Sequence, residues 1–286
     1  MRSVDLTLVV GAALCHASWN LLAKRAGGGR AFVFLVFGLE TLLYAPVAAV
    51  AWLLERPDLG RAQIAFMAGS AVLHLAYFLL LQLGYRAGDL SLVYPLARGT
   101  GPALSSAGAI LFLGERPSGL ALAGGALVVL GLVLLAAPRA ALRSSATGGR
   151  GVAFALLTGA LIAGYTLWDA HAVKSLGISP ILLDWTSVLG RSLLLAPFAL
   201  RATSLRGAWR TQRFEAVGVA VLSPLAYILV LTALVSAPVS YVAPARELSI
   251  VFATLMGAFL LHERDAARRL PLAGLIAAGV VALALG

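Results

Sequence analysis

Six ionisable side chains stand deep inside stretches that are otherwise apolar: Glu40, Arg98, Asp169, Arg191, Arg246 and Glu247. At the centre of a membrane-spanning helix each such charge costs about 2.5–3.5 kcal/mol on insertion scales, so left alone they would oppose insertion. Three are acids and three are bases, which permits pairing inside the protein. One reading is therefore structural, with salt bridges locking helices together. It stands level with a cavity role for Glu40 and Arg191. Asp169 and Glu247 join the candidates as acids at membrane depth.

Arg98 and Arg246 point further. Each follows a proline, Pro95 and Pro244. Proline removes a backbone donor and clashes one turn back, which frees carbonyls. Irregular backbone at membrane depth is tolerated only against protein or water, so a disturbed helix facing a cavity is expected at both positions. A guanidinium clamps a carboxylate or phosphate with two parallel bonds. The chemistry expected of Arg98, Arg246 or both is contact with an anionic or zwitterionic solute. If one of them is left for cargo, Arg98 is the expected one, since Glu247 can satisfy Arg246.

Weaker candidates surround these. His16, Trp19 and Asn20 fall at i, i+3 and i+4, one helical face. His16 and Glu40 are candidates for a coupling proton, with helix packing the competing role for His16. Tyr94, Tyr165, Tyr227 and Tyr241 either line a cavity or form an interfacial belt. His74 reads as a packing or hydrogen-bonding residue. Glu115 and Glu263 read as structural groups that bond loop amides or pair with a neighbouring arginine.

The elements that must position these residues follow from composition. The chain has 286 residues, is 60% hydrophobic and is only 12% charged, and its mean hydropathy is +0.94. That is membrane-protein composition. The formal charge of +10 comes without a basic stripe interleaved with aromatics, so nucleic acid is not expected as a partner. Cys15 is the single cysteine, which excludes an intramolecular disulfide. Ten apolar stretches approach the ~20 residues a spanning helix needs: 4–23, 31–54, 63–85, 90–113, 118–137, 151–173, 180–200, 214–235, 239–261 and 270–286. They are continuous rather than alternating, so a helix bundle is expected instead of a barrel. The first stretch carries Asp5 and no small-residue cleavage site, and reads as a retained helix rather than a signal peptide.

Ten spans put both termini on one side. The loops after spans 1, 3, 5, 7 and 9 hold 14 of the 22 Lys and Arg residues, against 5 in the N-terminus and the remaining loops. The positive-inside rule then places the termini on the outer face.

The chain also repeats itself. The segment "SLVYPLARGTGPALSSAGAILFLGER" at 91–116 matches "SYVAPARELSIVFATLMGAFLLHER" at 240–264, with one residue fewer between proline and arginine in the second copy. "LAY" at 75–77 pairs with "LAY" at 225–227, "YAP" at 44–46 with "LAP" at 195–197, and "WNLLAK" at 19–24 loosely with "WDAHAVK" at 168–174. When the "AP" pairs are aligned, Glu40 falls on Arg191. An odd number of helices per unit inverts the second copy, and inverted repeats place transport sites near the midplane. The expected units are 1–137 and 150–286, joined by the polar, basic segment 138–149.

Two five-helix units, a proline near the start of the fourth helix of each and a Glu-Arg pair closing that helix resemble the EamA branch of the drug/metabolite transporter superfamily. The resemblance covers essentially the whole chain. It implies ten transmembrane helices, with a central cavity lined by helices 1–4 and 6–9 and with helices 5 and 10 at the periphery. It specifies no substrate.

Enzyme motifs do not hold. "HERD" at 262–265 lacks the second histidine of a zinc-protease helix, since Ala266 stands there. "RGTGP" is not followed by the Gly-Lys-Ser/Thr of a phosphate loop. No serine elbow has partners. Neither a cofactor nor a bound metal is expected. The expectation is a secondary transporter of the inner membrane, moving a small polar metabolite by alternating access, with the solute and membrane lipid as its partners. A flippase or exporter of lipid-linked sugars is the first alternative and an intramembrane enzyme the second.

Overall fold

A computed structural model describes residues 1–27, 29–87, 90–136, 148–199, 205–260 and 266–286. All regular structure among them is helical. In chain order the helices are α1 (Ser3–Ala26), α2 (Arg30–Glu55), α3 (Arg61–Ala87), α4 (Leu90–Phe112), α5 (Gly119–Ala136), α6 (Gly148–Lys174), α7 (Pro180–Ala199), α8 (Leu205–Ser236), α9 (Val239–Ala245), α10 (Leu248–Leu260) and α11 (Ala266–Leu285). Most of the segment 138–149, expected as the joint between repeats, lies outside the described residues.

Seven spans are long and apolar enough to cross a membrane among the described residues: α1, 31–55 of α2, α3, 149–174 of α6, α8, 239–259 of α9 and α10 together, and 268–285 of α11. Helices α4, α5 and α7 have 23, 18 and 20 residues. At about 1.5 Å per residue these lengths also match the ~30 Å of a hydrocarbon core. The outer surface agrees with a lipid solvent: Leu54 and Phe112 are 79% and 81% exposed, and large apolar side chains are displayed along most helices.

Helix ends follow local chemistry. Gly27 adopts a left-handed conformation and its N–H returns to the Lys24 carbonyl, ending α1. Gln212 has non-helical angles inside α8, so the eighth span has a separate first turn that the sequence reading left in a loop. The Gln212 side chain donates Nε2 to the Ala26 carbonyl at 2.7 Å, tying that kink to the end of α1.

The two prolines beside the arginines behave differently. Helix α4 is continuous through Pro95 and Pro102, contrary to the disturbed backbone expected there. Its small residues are gripped by neighbours: Gly99 lies against Leu132 and Val133 of α5, and Gly101 against Ile162 of α6. In the second copy the helix does break. Helix α9 ends at Ala245, and α10 starts at Leu248. The amides of Glu247, Ser249 and Ile250 bond three residues back instead of four. Pro244 offers no N–H to the Ser240 carbonyl, which accepts instead from Ser106 Oγ at 3.5 Å. The one-residue deletion explains the contrast. Each residue turns a helix by about 100°, so deleting one would swing Arg246 away from the direction its counterpart takes. The break absorbs that turn.

Packing connects the halves at every level. Helix α1 packs on α8 and α3 on α6; α2 packs on α8 and α3 on α7; α4 packs on α6 and α10 on α1; α2 meets α7, and α5 meets α11. The α5–α11 contact is a backbone approach. A Cβ on Gly124 would stand 2.6 Å from the Gly279 carbonyl oxygen, and one on Gly279 would stand 2.7 Å from that of Gly124.

Candidate functional site

The α9–α10 break puts Glu247 at the centre of the protein with no solvent exposure. Its carboxylate faces two guanidiniums. Arg98 Nε lies 3.5 Å from Oε2, and Arg246 Nε lies 3.6 Å from Oε1. Arg98 comes from α4, so the two matched arginines of the repeats converge on one acid. Glu247, expected to satisfy Arg246, is shared with Arg98.

Two polar chains extend from this centre. Toward α1, Arg98 Nη2 donates to His16 Nε2 at 2.8 Å. Arginine has no acceptor, so this nitrogen of His16 must be the lone-pair one. The imidazole meets Trp19 edge to face at 4.9 Å. Trp19 itself packs beside Phe32, Val36, Ala216 and Val219. Asn20 turns back on its own helix, donating Nδ2 to the His16 carbonyl at 2.7 Å. Of the three residues that share a face, only His16 touches the charged centre.

Toward α6, Arg246 Nη2 donates to Tyr165 Oη at 3.5 Å. The Tyr165 ring stacks on His74 with centroids 4.1 Å apart. His74 Nε2 lies 3.0 Å from Asp169 Oδ2, and Tyr227 Oη donates to the same oxygen at 2.6 Å. Asp169 is fully buried. The sequence singled out Asp169 without a partner, read His74 as a packing or hydrogen-bonding residue and Tyr227 as a cavity-lining or belt residue, and did not join the three. One signal was available: the two "LAY" motifs carry Tyr77 and Tyr227, and Tyr77 lies edge-on to Tyr165 at 5.6 Å.

A second acidic and basic group occupies α2 and α7. Glu40 is 2% exposed; the Ser223 hydroxyl bonds it, and Arg191 acts on it electrostatically. Arg191 donates Nε to the Ser187 carbonyl at 3.3 Å, and its guanidinium lies 5.2 Å from the centre of the Phe37 ring. Asp184, also buried, belongs to this neighbourhood. It was missed because it stands in the first turns of the seventh apolar run, where an acid reads as terminal. Thr41 and Ser192, neighbours of Glu40 and Arg191 and separated by the repeat offset, touch through their hydroxyls at 3.2 Å. The Tyr94 side chain lies outside the described residues.

Glu115 does what its position suggested. It accepts from the amides of Val239 and Ser240 at 2.7 and 2.9 Å and from Ser240 Oγ at 2.6 Å, holding the start of α9 to the end of α4. Its counterpart Glu263 lies outside the described residues. Tyr241, a cavity or belt candidate, accepts from the Ser118 amide at 3.2 Å beside this junction. A cavity of about 260 Å³ opens here, lined by Met1, Glu115, Arg116, Pro117, Pro238 and Tyr241.

A multi-pass helical membrane protein with a buried polar chain crossing both halves is thus defined. The profile of the EamA-like transporter family matches residues 5–137 and again 149–285. The chain belongs to that family, and is by that membership a membrane transporter of small solutes. No curated protein matches it in sequence. A solved structure described as "Crystal structure of protein" is similar in fold, with a TM-score of 0.77 over 100% of this chain and 99% of its own, at 15% identity.

Proposed function

We propose that the protein moves a small polar metabolite carrying an acidic group, anionic or zwitterionic, across the inner membrane by alternating access between two inverted halves. The observation that carries this reading is the sharing of Glu247 by Arg98 and Arg246. Two guanidiniums share one carboxylate here, and the next acid of the polar chain, Asp169, lies beyond Tyr165 and His74, so the positive surplus at the arginines is local. Charges at membrane depth are costly without opposite partners, and a carboxylate or phosphate on the solute supplies one.

The inverted arrangement is supported by packing. Exchanging α1 with α6, α2 with α7, α3 with α8, α4 with the α9–α10 pair and α5 with α11 carries the most extensive contacts between the halves onto one another: α1–α8 onto α3–α6, α2–α8 onto α3–α7 and α4–α6 onto α1–α10, while α2–α7 and α5–α11 map onto themselves. A two-fold axis between the halves accounts for this, and for the direct touch of Thr41 with its repeat-mate Ser192. In such folds the two halves rock about a site fixed between them. The Glu115 clamp closes α4 against α9 on the face that carries the termini.

The test begins with a thermal-shift screen of purified protein against small carboxylates, phosphates and zwitterions, since a bound solute stabilises by mass action. Uptake of each hit into proteoliposomes follows. Arg98→Gln and Arg246→Gln should each abolish uptake while expression and monodispersity persist. Normal uptake by both variants overturns the reading.

A further inference from the structure

The His74–Asp169–Tyr227 cluster meets Arg246 through Tyr165, and its carboxylate is fully buried. Asp169 Oδ2 accepts from both His74 and Tyr227, while Oδ1 is buried with no hydrogen-bond partner among the described residues. A buried oxygen without a donor is costly when the carboxylate is charged. His74 Nε2 faces the carboxylate and so carries a hydrogen, which leaves Nδ1 with the lone pair in the neutral ring. One added proton can reside on His74 Nδ1, giving an imidazolium–carboxylate pair, or on Asp169 Oδ1. Both positions belong to one hydrogen-bonded unit, and titration is a property of the pair.

The charged and titratable groups around it come from every packed element. Helix α3 supplies His74 and Tyr77, α6 supplies Tyr165 and Asp169, and α8 supplies Tyr227. The α9–α10 break supplies Arg246, which reaches the cluster through Tyr165. Helix α7 supplies Arg191 and Asp184 electrostatically. The chain from His16 to Tyr227 holds two bases, Arg98 and Arg246, and two acids, Glu247 between the arginines and Asp169 at the far end. His16 accepts a bond from Arg98 and so is neutral. With His74 neutral, these two bases and two acids balance. An arriving proton makes the chain positive by one, and one negative charge on a solute restores balance.

We propose that the His74–Asp169 pair, with the Tyr227 hydroxyl, is a proton-binding site whose loading balances an anionic solute at Arg98 and Arg246, so that proton and anion cross together. This rests on the reading of the arginine pair as the solute site. Binding of each favours binding of the other, by the same factor in both directions. The proton enters and leaves on the pair itself, and no other bond is made or broken.

The proton site is tested without any solute. Proteoliposomes on a solid-supported membrane receive a step from about pH 8 to about pH 5.5, which brackets ordinary imidazole titration. Wild type should give a transient charge displacement. Asp169→Asn and His74→Gln should each lose it, and His171→Gln, on the same helix as Asp169 but outside the cluster, should keep it. No displacement in wild type overturns the proposal, whatever the variants do. So does retention in both Asp169→Asn and His74→Gln, or loss in His16→Gln or Glu40→Gln with retention in Asp169→Asn. If one cluster variant fails to fold, the other decides together with wild type.

Linkage is read from proton uptake in weakly buffered solution, on adding whichever of sulfate, acetate or glutamate raises the melting temperature. Uptake by wild type supports it, and stabilisation without uptake overturns it. If none of the three stabilises the protein, the anionic-solute reading is what fails, and the pH-step current still decides the proton site.

Discussion

Glu247 is the residue on which the central charges depend, because its carboxylate lies within 3.5 and 3.6 Å of two guanidiniums and is wholly buried. Removing one partner of a buried ion pair usually costs about 3–5 kcal/mol, since the other charge is left uncompensated. Glu247→Gln keeps the shape and removes the charge. We expect it to melt well below wild type in detergent, and to recover more than wild type does when sulfate replaces chloride at equal ionic strength. An unchanged melting temperature would show that Glu247 does not balance the arginines. The same residue marks the limit of sequence reading at this scale. Its type and depth were legible as a candidate, but its sharing between Arg98 and Arg246 was not, since the two arginines lie 148 positions apart. Only the packing of α4 against the α9–α10 break makes them neighbours.

Among the elements, α5 and α11 show how little room the fold leaves. Their backbones meet at Gly124 and Gly279, where an added methyl would stand 2.6–2.7 Å from a carbonyl oxygen. A backbone atom cannot swing aside as a side-chain tip can. Overpacking of this kind typically costs about 1–3 kcal/mol. Gly124→Ala should therefore lower the melting temperature, whereas Gly125→Ala should not, because its nearest neighbour is Pro244 Cγ at 3.9 Å. Equal melting of the two variants would argue against a tight α5–α11 seam. Adjacent glycines such as Gly124 and Gly125 cannot be told apart by sequence. Their different surroundings come from which face each presents to the partner helix. The prolines teach the same lesson. Pro95 and Pro244 looked equivalent, yet α4 stays intact and its counterpart breaks, because a deletion of one residue had to be absorbed in the second copy.

For the whole molecule, the termini lie together, with the Met1 amino group 3.5 Å from the Ala284 carbonyl. The distribution of Lys and Arg predicts that this face is the outer one. Gly286→Cys, in a Cys15→Ser background, should react with an impermeant maleimide added to intact cells. Absence of labelling, with labelling after permeabilisation, would invert the orientation and place the Glu115 clamp on the inner face.

Much at this scale was written in the chain itself. Composition, the apolar runs and the repeat determine that the chain is helical, membrane-embedded and duplicated, and the basic loops predict its orientation across the bilayer. These are properties of segments, and a lipid solvent with no hydrogen-bonding partners lets segments be read one at a time. Tertiary structure alone decided the pairing: that two arginines share one acid, that His16 serves Arg98, and that Asp169 belongs with His74 and Tyr227. Those contacts join helices far apart in the chain, and they depend on the rotation of each helix about its own axis. Pro244 and the missing residue beside it set that rotation for Arg246, and the α4–α6 and α1–α8 packings set it for the rest.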